Sequence, residues 1–179
     1  MDTMKVKLPA SGGGGFNHYI GEAFGGGVIF HLWKDAGGDE HGLIVATTDT
    51  SSSAAWSNLT TIEIGTAQST WDGLNNSYAI FGQSGHNSSA AKLCLDSGSG
   101  GQMDWYLPAI DELSLLYQNR FNVNKTLSTL SGATQLGYAH YWSSTEYDAT
   151  SAWDFLFFNG STNYSSKITT LSVRAIRAF

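Results

Sequence analysis

The sequence WDFLFFNGSTNY (residues 153–164) places Asn159 and Gly160 between two runs of strand-forming residues. Asn-Gly flanked in this way predicts a β-hairpin with a two-residue type I′ turn. The hairpin lies inside a C-terminal segment that begins with YWSSTE (residues 141–146) and ends with VRAIRAF (residues 173–179). It therefore determines which side chains of this segment share a face.

A two-residue turn assigns alternate residues of the hairpin to opposite faces. Phe155 and Phe157, in line with Trp153, carry the larger apolar area and are expected to face the core. Thr162 and Tyr164 would share that face. The outer face would then carry a mixture of polar and apolar side chains, namely Asp154, Leu156, Phe158, Ser161, Asn163 and Ser165. Such a mixture is typical of a recognition patch, and a sheet buried on both faces is the alternative.

Length and composition favour one globular domain. At 179 residues the chain can bury a substantial core. Charged residues make up only 13%, and glycine is abundant with 21 residues, so short strands, many loops and a Ser/Thr/Asn/Gly surface are expected. The net charge of −6 and the lack of a Lys/Arg cluster in the sequence disfavour nucleic acid, polyanionic glycan and anionic membrane as partners.

Cys94 is the only cysteine in the sequence, so an intrachain disulfide and a cysteine zinc site are excluded. No run of about 20 apolar residues occurs, and we expect no membrane insertion. The first residues also lack the apolar region of a signal peptide. Residues 1–19 contain four consecutive glycines and predict a flexible arm or linker. That arm would attach the domain, residues 20–179, to a larger phage or surface assembly.

Two strands and two helices carry clear local signals. Apolar runs at residues 28–33 and 43–48, separated by a turn-rich segment, predict strands. A helix is expected over residues 88–96. Another opens at Pro108, because apolar side chains recur after it at helical spacing, at Ile110, Leu113, Leu116 and Tyr117. The loop-rich region from residue 50 to residue 101 is expected to be anchored by Trp56 and Trp71.

Six short motifs together resemble a known bacterial family. They are GGVIF (26–30), HGLIVA (41–46), DWYLP (104–108) followed by Asp111-Glu112-Leu113, YWSSTE (141–146), Ala152-Trp153 and VRAIRAF (173–179). In this order, from about Ile20 to the end of the chain, they are similar to the Lcl C-terminal and Fibrobacter major paralogous domains.

The resemblance implies an α+β domain with a C-type lectin-like fold, in the form shared with formylglycine-generating enzymes. It implies short antiparallel strands, two helices, a loop-rich chain, and pairing of the N-terminal strand (28–33) with the C-terminal strand (172–179). We expect the helix after Pro108 to pack into one core with two tryptophans, which involves Leu113, Leu116, Trp105 and Trp142.

Alternation along the last strand requires either Arg174 or Arg177 to face inward. A buried guanidinium needs an acceptor, and the expected partner is Glu146 or Glu112.

Some members of this family are variable proteins of diversity-generating retroelements, which display hypervariable ligand-binding residues. These elements mutate adenines, and the mutated Asn-type codons cannot become Lys, Glu, Gln, Met or Trp. Between Tyr147 and Ser172 only Trp153 and Lys167 belong to that unreachable set, and the family pattern has a fixed Trp and Lys there. The resemblance thus implies a variable region at residues 141–179. Its predicted ligand-binding residues are Tyr147, Asp148, Thr150, Asp154, Leu156, Phe158, Ser161, Asn163 and Ser165.

Catalysis, a cofactor and a metal are not expected. Formylglycine-generating enzymes depend on cysteine chemistry, and Cys94 alone in a predicted helix departs from that requirement. The five histidines lie far apart in the sequence, without metal-ligand spacing. The Glu-Pro-Asn and Trp-Asn-Asp signatures of calcium-dependent sugar lectins are absent from the sequence.

The sequence therefore predicts a non-catalytic module that binds a protein or glycan ligand on a cell surface. It would be displayed on a phage virion or a bacterial cell surface. The alternatives are a fixed-specificity bacterial surface adhesin, a metal-free glycan-binding lectin and a purely structural surface subunit.

Overall fold

The computed structural model describes residues 15–179, and residues 1–14 of the predicted arm lie outside this part. Within it the chain folds into nine strands: β1 (Ala23–Phe24), β2 (Gly27–Lys34), β3 (Glu40–Ala46), β4 (Ser51–Ala55), β5 (His140–Glu146), β6 (Ser151–Leu156), β7 (Ser161–Ser166), β8 (Thr170–Val173) and β9 (Ile176–Ala178). The helices in the same part are α1 (Gly73–Phe81), α2 (Ala90–Leu95), α3 (Ile110–Gln118) and α4 (Arg120–Leu127), with a 3-10 turn at Ser99–Gly101.

The described strands form two sheets. The first has the order β1-β2-β3-β9, and all of its neighbours are antiparallel. The second has the order β4-β8-β5-β6-β7, in which only the pairing of β5 with β8 is parallel. The predicted α+β class with short strands is therefore confirmed, while the C-type lectin-like fold stays a prediction.

Both sheets are covered on both faces near their centres. Val28 and Phe30 of β2 join one apolar cluster, while Ile29 between them joins a second. In β5, Tyr141 belongs to the first cluster and Trp142 to the second. Because strand side chains alternate, a strand with a core on each side is a continuous apolar run. The alternative of a sheet buried on both faces is thus correct for β5 and for much of β6.

The predicted pairing of the N-terminal and C-terminal strands is wrong. A strand has two edges, and those of β2 are occupied by β1 and β3. Connections at residues 25–26 and 35–39 hold these two neighbours in place, because closing a short loop costs less entropy than bringing in a distant strand. The C-terminal strand pairs instead with the other edge of β3, where Val45 lies opposite Ile176.

The two ends of the first sheet still meet through side chains. The ring of Phe179 lies 5.2 Å from that of Phe24, in an edge-on arrangement. Phe179 crosses the sheet over Gly42, where an added Cβ would approach its ring carbon to 2.4 Å. Asn17 and His18, at the end of the predicted arm, donate backbone hydrogen bonds to the Glu40 carboxylate at 2.7 and 2.9 Å. These contacts join the described end of the arm to the domain.

The two predicted helices are confirmed as α2 and α3, but the part of the chain from residue 15 onward holds four, so the expectation of two is wrong. Helix α1 was not predicted because its buried side carries the polar residues Asn76 and Ser77, which break the apolar pattern of an amphipathic helix. They are held by hydrogen bonds to the carbonyls of Ser69 and Leu107, which only the tertiary structure supplies. Helix α4 was not predicted because it is mostly polar and buries only Val123 and Leu127.

The helices are divided between the two sides of the sheets. Leu113 and Leu116 of α3 lie in the first cluster, whereas Trp105 and Trp142 lie in the second. Their predicted single core is therefore wrong, because the tryptophans point to the opposite side of the strands. Trp56 is a buried anchor, as expected. Trp71 is 73% exposed, so its predicted anchoring role is wrong.

Arg174 is buried, which confirms that one of the two arginines faces inward. The predicted single strand over residues 172–179 is wrong, because it divides into β8 and β9 at Arg174 and Ala175, and residues 173–176 are all buried, so strand alternation is not the cause. Its guanidinium donates to Asp49 Oδ1 at 2.9 Å and to the carbonyl of Thr134 at 2.6 Å. The predicted partners, Glu146 and Glu112, are wrong because each accepts hydrogen bonds from other donors.

Two adjacent phenylalanines provide a matched test of the hairpin. Phe157 is buried against the rings of Tyr141 and Tyr117, at 4.9 and 5.5 Å, whereas Phe158 is 70% exposed. Phe157→Ala should lower the free energy of unfolding by about 3–5 kcal/mol, because it leaves a core cavity. Phe158→Ala should change it by less than about 0.5 kcal/mol in the same urea melts. Equal losses would contradict this structure of the turn.

Glu112 is a buried carboxyl group at the start of α3. It accepts hydrogen bonds from the Tyr106 hydroxyl at 2.8 Å and from the backbone N–H of Ala109 at 2.7 Å. Burial raises the pKa of Glu112 from 4.5 to about 7 in spite of these hydrogen bonds. The folded state thus holds a proton that the unfolded state releases between those two pH values.

Stability should therefore fall as the pH rises across this window, since the unfolded chain binds fewer protons there. Relative to a Glu112→Gln variant, the wild type should lose about 3 kcal/mol of unfolding free energy between pH 4.5 and about pH 8. Urea melts of both proteins across this range measure the difference. A difference that does not change with pH would show that Glu112 ionises normally.

Candidate functional site

All nine predicted ligand-binding residues lie in one stretch, here termed the hairpin segment (residues 147–166), which contains β6 and β7. Glu146 immediately precedes this segment and Lys167 immediately follows it. Their side chains are both fully buried, and Lys167 Nζ lies 2.6 Å from Glu146 Oε1. One ion pair therefore joins the two ends of the hairpin segment.

The ammonium group of Lys167 is fully satisfied. Besides Glu146, it donates to the carbonyls of Ile62 and Ala149, at 3.0 and 2.9 Å. These three acceptors match the three protons of the ammonium group. The nitrogen also lies 4.9 Å from the ring centre of Trp56. A buried charge is tolerated when it is paired and hydrogen-bonded in this way.

The carboxylate of Glu146 extends the network to a separate loop. It accepts backbone hydrogen bonds from Ile64 at 2.9 Å and from Gly65 at 3.1 Å. The backbone N–H of Glu146 itself donates to the carbonyl of Ala67 at 2.6 Å. The base of the hairpin segment and the loop around Ile64 are thus fixed by the same carboxylate.

Asp148 and Thr150 form the turn between β5 and β6. Asp148 Oδ1 accepts from the backbone N–H of Thr150 at 2.8 Å and from its hydroxyl at 3.0 Å. The hydrogen bond from the Thr150 backbone is the main cause that lowers the pKa of Asp148 below its usual value. These two predicted site residues therefore lie together, in a turn that their own side chains stabilise.

An aromatic cluster lies beside this turn. The rings of Tyr147 and Tyr164 are stacked, with centres 4.3 Å apart and planes 11° apart, and Trp153 meets Tyr147 edge-on at 5.2 Å. Tyr147 is 44% exposed and Tyr164 is 58% exposed. The expectation that Tyr164 faces the core is wrong, because β7 is the edge strand and the core ends beneath β6. The polar neighbours of Tyr164 in β7, Thr162 and Ser166, were the sequence signal for this exposure.

The opposite face of the hairpin carries Leu156, Ser161, Asn163 and Ser165, as predicted. The turn has four residues, 157–160, since Leu156 pairs with Ser161, so the predicted two-residue turn is wrong. A shift of two residues leaves every side chain with the same neighbours on its face, so the grouping into two faces survives. The expectation that Thr162 faces the core with Tyr164 is wrong, because both are exposed in β7, whereas Ser161, Asn163 and Ser165 are partly buried. Gly160 has a φ of +80°, and an added Cβ would lie 2.5 Å from the Tyr117 ring.

Asp154 is fully buried, so its predicted position on an exposed face is wrong. His140 Nδ1 donates to Asp154 Oδ1 at 2.6 Å, and the Ser165 hydroxyl donates to Oδ2 at 2.8 Å. The carboxylate is covered because neighbouring strands on both sides supply these donors. Asp154 therefore holds Ser165 in place and does not form part of the accessible surface.

Phe158 lies in the turn at the far end of the hairpin from Tyr147. Its ring meets that of Tyr138 edge-on at 6.1 Å, and both rings are exposed. Tyr138 borders a groove of about 840 Å³ between α4 and residues 135–138. The nine predicted residues are thus divided among the 147–150 turn, one hairpin face and the 157–160 turn.

Other chemistry was sought in the same part of the chain. Among residues 15–179, no cluster of three or more His, Cys, Asp or Glu side chains is arranged to hold a metal ion. Burial raises the pKa of the Cys94 thiol, which disfavours the reactive thiolate. None of the helices described is both long and apolar enough to cross a membrane.

The fold and this geometry define an α+β domain with an accessible hairpin of aromatic and polar side chains. The buried ion pair of Glu146 and Lys167, here termed the ionic base, anchors that hairpin. A family model described as the Lcl C-terminal domain matches residues 45–177, so the chain belongs to the Lcl C-terminal domain family. The match runs from the last residues of β3 into β9 and includes the whole hairpin segment. Membership supports a domain of a general surface or ligand-binding type. A search of curated proteins found no match.

The ionic base yields a stability test with a matched control. Lys167→Met should lower the free energy of unfolding by about 3–5 kcal/mol, because it leaves the Glu146 carboxylate buried without its partner. Lys92→Met removes the surface pair between Lys92 and Asp96 and should cost less than about 1 kcal/mol. Similar losses for the two variants in urea melts would show that Lys167 is not the charge that holds this base.

Proposed function

We propose that the domain is a non-catalytic receptor- or target-recognition module whose hairpin segment displays hypervariable residues generated by a diversity-generating retroelement. The observation that carries this proposal is the buried pair of Glu146 and Lys167 at the base of an otherwise accessible segment. A base of this kind allows contact residues to change while the backbone beneath them stays fixed.

The contact residues of this proposal are those of the predicted set that remain accessible, together with one aromatic residue. They are Tyr147, Asp148, Thr150, Leu156, Phe158, Ser161, Asn163, Ser165 and the added Tyr164. Rigid aromatic rings beside short polar side chains give large contact area at low entropic cost, as in antibody loops. Asp154 serves as a positioning residue for Ser165 in this arrangement.

The ligand of this proposal is a protein or glycan on a cell surface, and the domain is carried on a phage virion or a bacterial cell surface. The net charge of −6 supports a partner other than nucleic acid. The residues that precede Asn17 would form the attachment to a larger assembly, since the backbone N–H of Asn17 is hydrogen-bonded to the Glu40 carboxylate.

A fixed-specificity adhesin or a metal-free glycan-binding lectin is the second candidate. The stacked rings of Tyr147 and Tyr164 favour it, because exposed aromatic faces bind sugar rings without a metal ion. In that case the same surface would bind one ligand and would not vary among gene copies.

The DNA around the gene separates the two candidates. The proposal expects a near-copy of the 3′ end of the gene that differs almost only at adenines, next to a reverse transcriptase gene. If the native locus has no such copy, hypervariability is excluded and the fixed-specificity adhesin takes its place.

Tolerance of the hairpin segment to substitution is a prediction that needs no knowledge of the ligand. A displayed library randomised at the four exposed contact residues, Tyr147, Thr150, Phe158 and Tyr164, should remain mostly resistant to protease, because surface substitutions usually change stability by less than about 0.5 kcal/mol each. A matched library at buried residues of the same stretch, Ala152, Asp154, Phe155 and Phe157, should be mostly cleaved. Equal survival of the two libraries, sorted under the same protease, would contradict the proposed division of roles.

A further inference from the structure

A cavity of about 370 Å³ lies between β2 and the first turns of α1 and α3. Its walls include two tryptophans, a histidine, a tyrosine and two aspartates, namely Trp33, Trp71, His31, Tyr106, Asp72 and Asp111. None of the described residues that line it belongs to the hairpin segment. The cavity is therefore a separate site from the surface discussed above.

The tryptophans of this cavity are unusually uncovered. Trp71 is 73% exposed and Trp33 is 39% exposed, although such large apolar rings are normally buried for most of their area. Trp33 contacts the rings of His31 and His41, with centres 5.6 and 5.5 Å away and planes tilted by 27° and 26°. These contacts fix the orientation of Trp33, and the most accessible ring of the cavity is that of Trp71.

The charge around these rings is negative. Asp111 lies in the first turn of α3, and its carboxylate has no hydrogen-bond or ionic partner among residues 15–179. Asp72 caps α1 by accepting from the backbone N–H of Asn75 at 3.1 Å. Burial lowers the pKa of His31, which keeps its imidazole uncharged near neutral pH. Among the described lining residues there is no Lys or Arg to balance the carboxylates.

We propose that this cavity binds an organic cation with a quaternary ammonium group, which packs against the ring of Trp71, beside Trp33, and is balanced by the carboxylates of Asp72 and Asp111. Aromatic faces attract cations, and a quaternary ammonium group fits such walls because its charge is spread over methyl groups. A hard inorganic cation is a poorer match, since calcium requires about six to eight oxygen ligands.

The trimethylammonium group could come from choline, from a phosphocholine headgroup or from a trimethylated lysine side chain. The negative charge of the cavity should give these three sources different affinities. Phosphocholine brings a phosphate toward Asp72 and Asp111 without any cation to receive it, so it should bind more weakly than choline. A trimethyl-lysine peptide carries no such phosphate and should bind about as well as choline.

The test uses the full chain, titrated with tetramethylammonium chloride at constant ionic strength. Indole N–H signals of Trp33 and Trp71 should shift with saturation below about 100 mM, and 3,3-dimethyl-1-butanol, the neutral isostere of choline, should bind at least about tenfold more weakly than choline. Parallel titrations with choline, phosphocholine and a trimethyl-lysine peptide identify the source. Equal binding of the isostere, or no saturable shift, would overturn the proposal.

Two exposed substitutions make the test specific to this site. Trp71→Leu should weaken binding at least about tenfold, and Asp111→Asn should weaken it about threefold. Phe121→Leu and Glu63→Gln remove an exposed ring and an exposed charge elsewhere, and they should leave binding unchanged. Unchanged binding by Trp71→Leu, with its fold verified by thermal melting, would overturn the proposal. All of these substitutions lie outside the hairpin segment, so failure here leaves the proposed function untouched.

Discussion

The rest of the C-terminal half depends on a buried ion pair between Glu146 and Lys167. Removing two charges from water is costly, and the cost is recovered only if both are fully hydrogen-bonded. The ammonium group meets this condition with one carboxylate oxygen and two carbonyls, and the carboxylate adds the backbone of a second loop. Any rearrangement that separated the pair would leave a charge unpaired, which restricts the base of the hairpin to one geometry.

This constraint separates the residues that maintain the hairpin from those available for contact. Asp154 and Phe157 are buried and serve the backbone, whereas Tyr147 and Tyr164 are accessible at the edge of the sheet. The edge position of β7 explains this division, because the core extends beneath β6 and stops there. Substitutions at the edge consequently remove little buried area and leave the ionic base intact.

Local signals predicted the parts of this architecture that depend on alternation. The grouping of the hairpin side chains into two faces was correct because an error of two residues in the turn does not change the side of a strand. Which face of β7 is exposed was not predicted, because it depends on where the core ends beneath β6. The burial of one C-terminal arginine was expected, but Arg174 lies in the break between β8 and β9, and its partner Asp49 is distant in sequence and could not be inferred. The burial of Asp154 depends on donors from two neighbouring strands. Strand order depends on which strands pair with each free edge of a sheet. Short sequence patterns carry no information about that pairing.

The account rests on the coupling between Glu146 and Lys167, and a double-mutant cycle measures that coupling directly. Unfolding free energies of the wild type, Glu146→Gln, Lys167→Met and the double variant give the interaction energy once both single losses are subtracted. The account predicts a coupling of about 2–3 kcal/mol, with the double variant more stable than the sum of the single losses implies. A coupling below about 0.5 kcal/mol would show that the two charges act independently and would contradict the account.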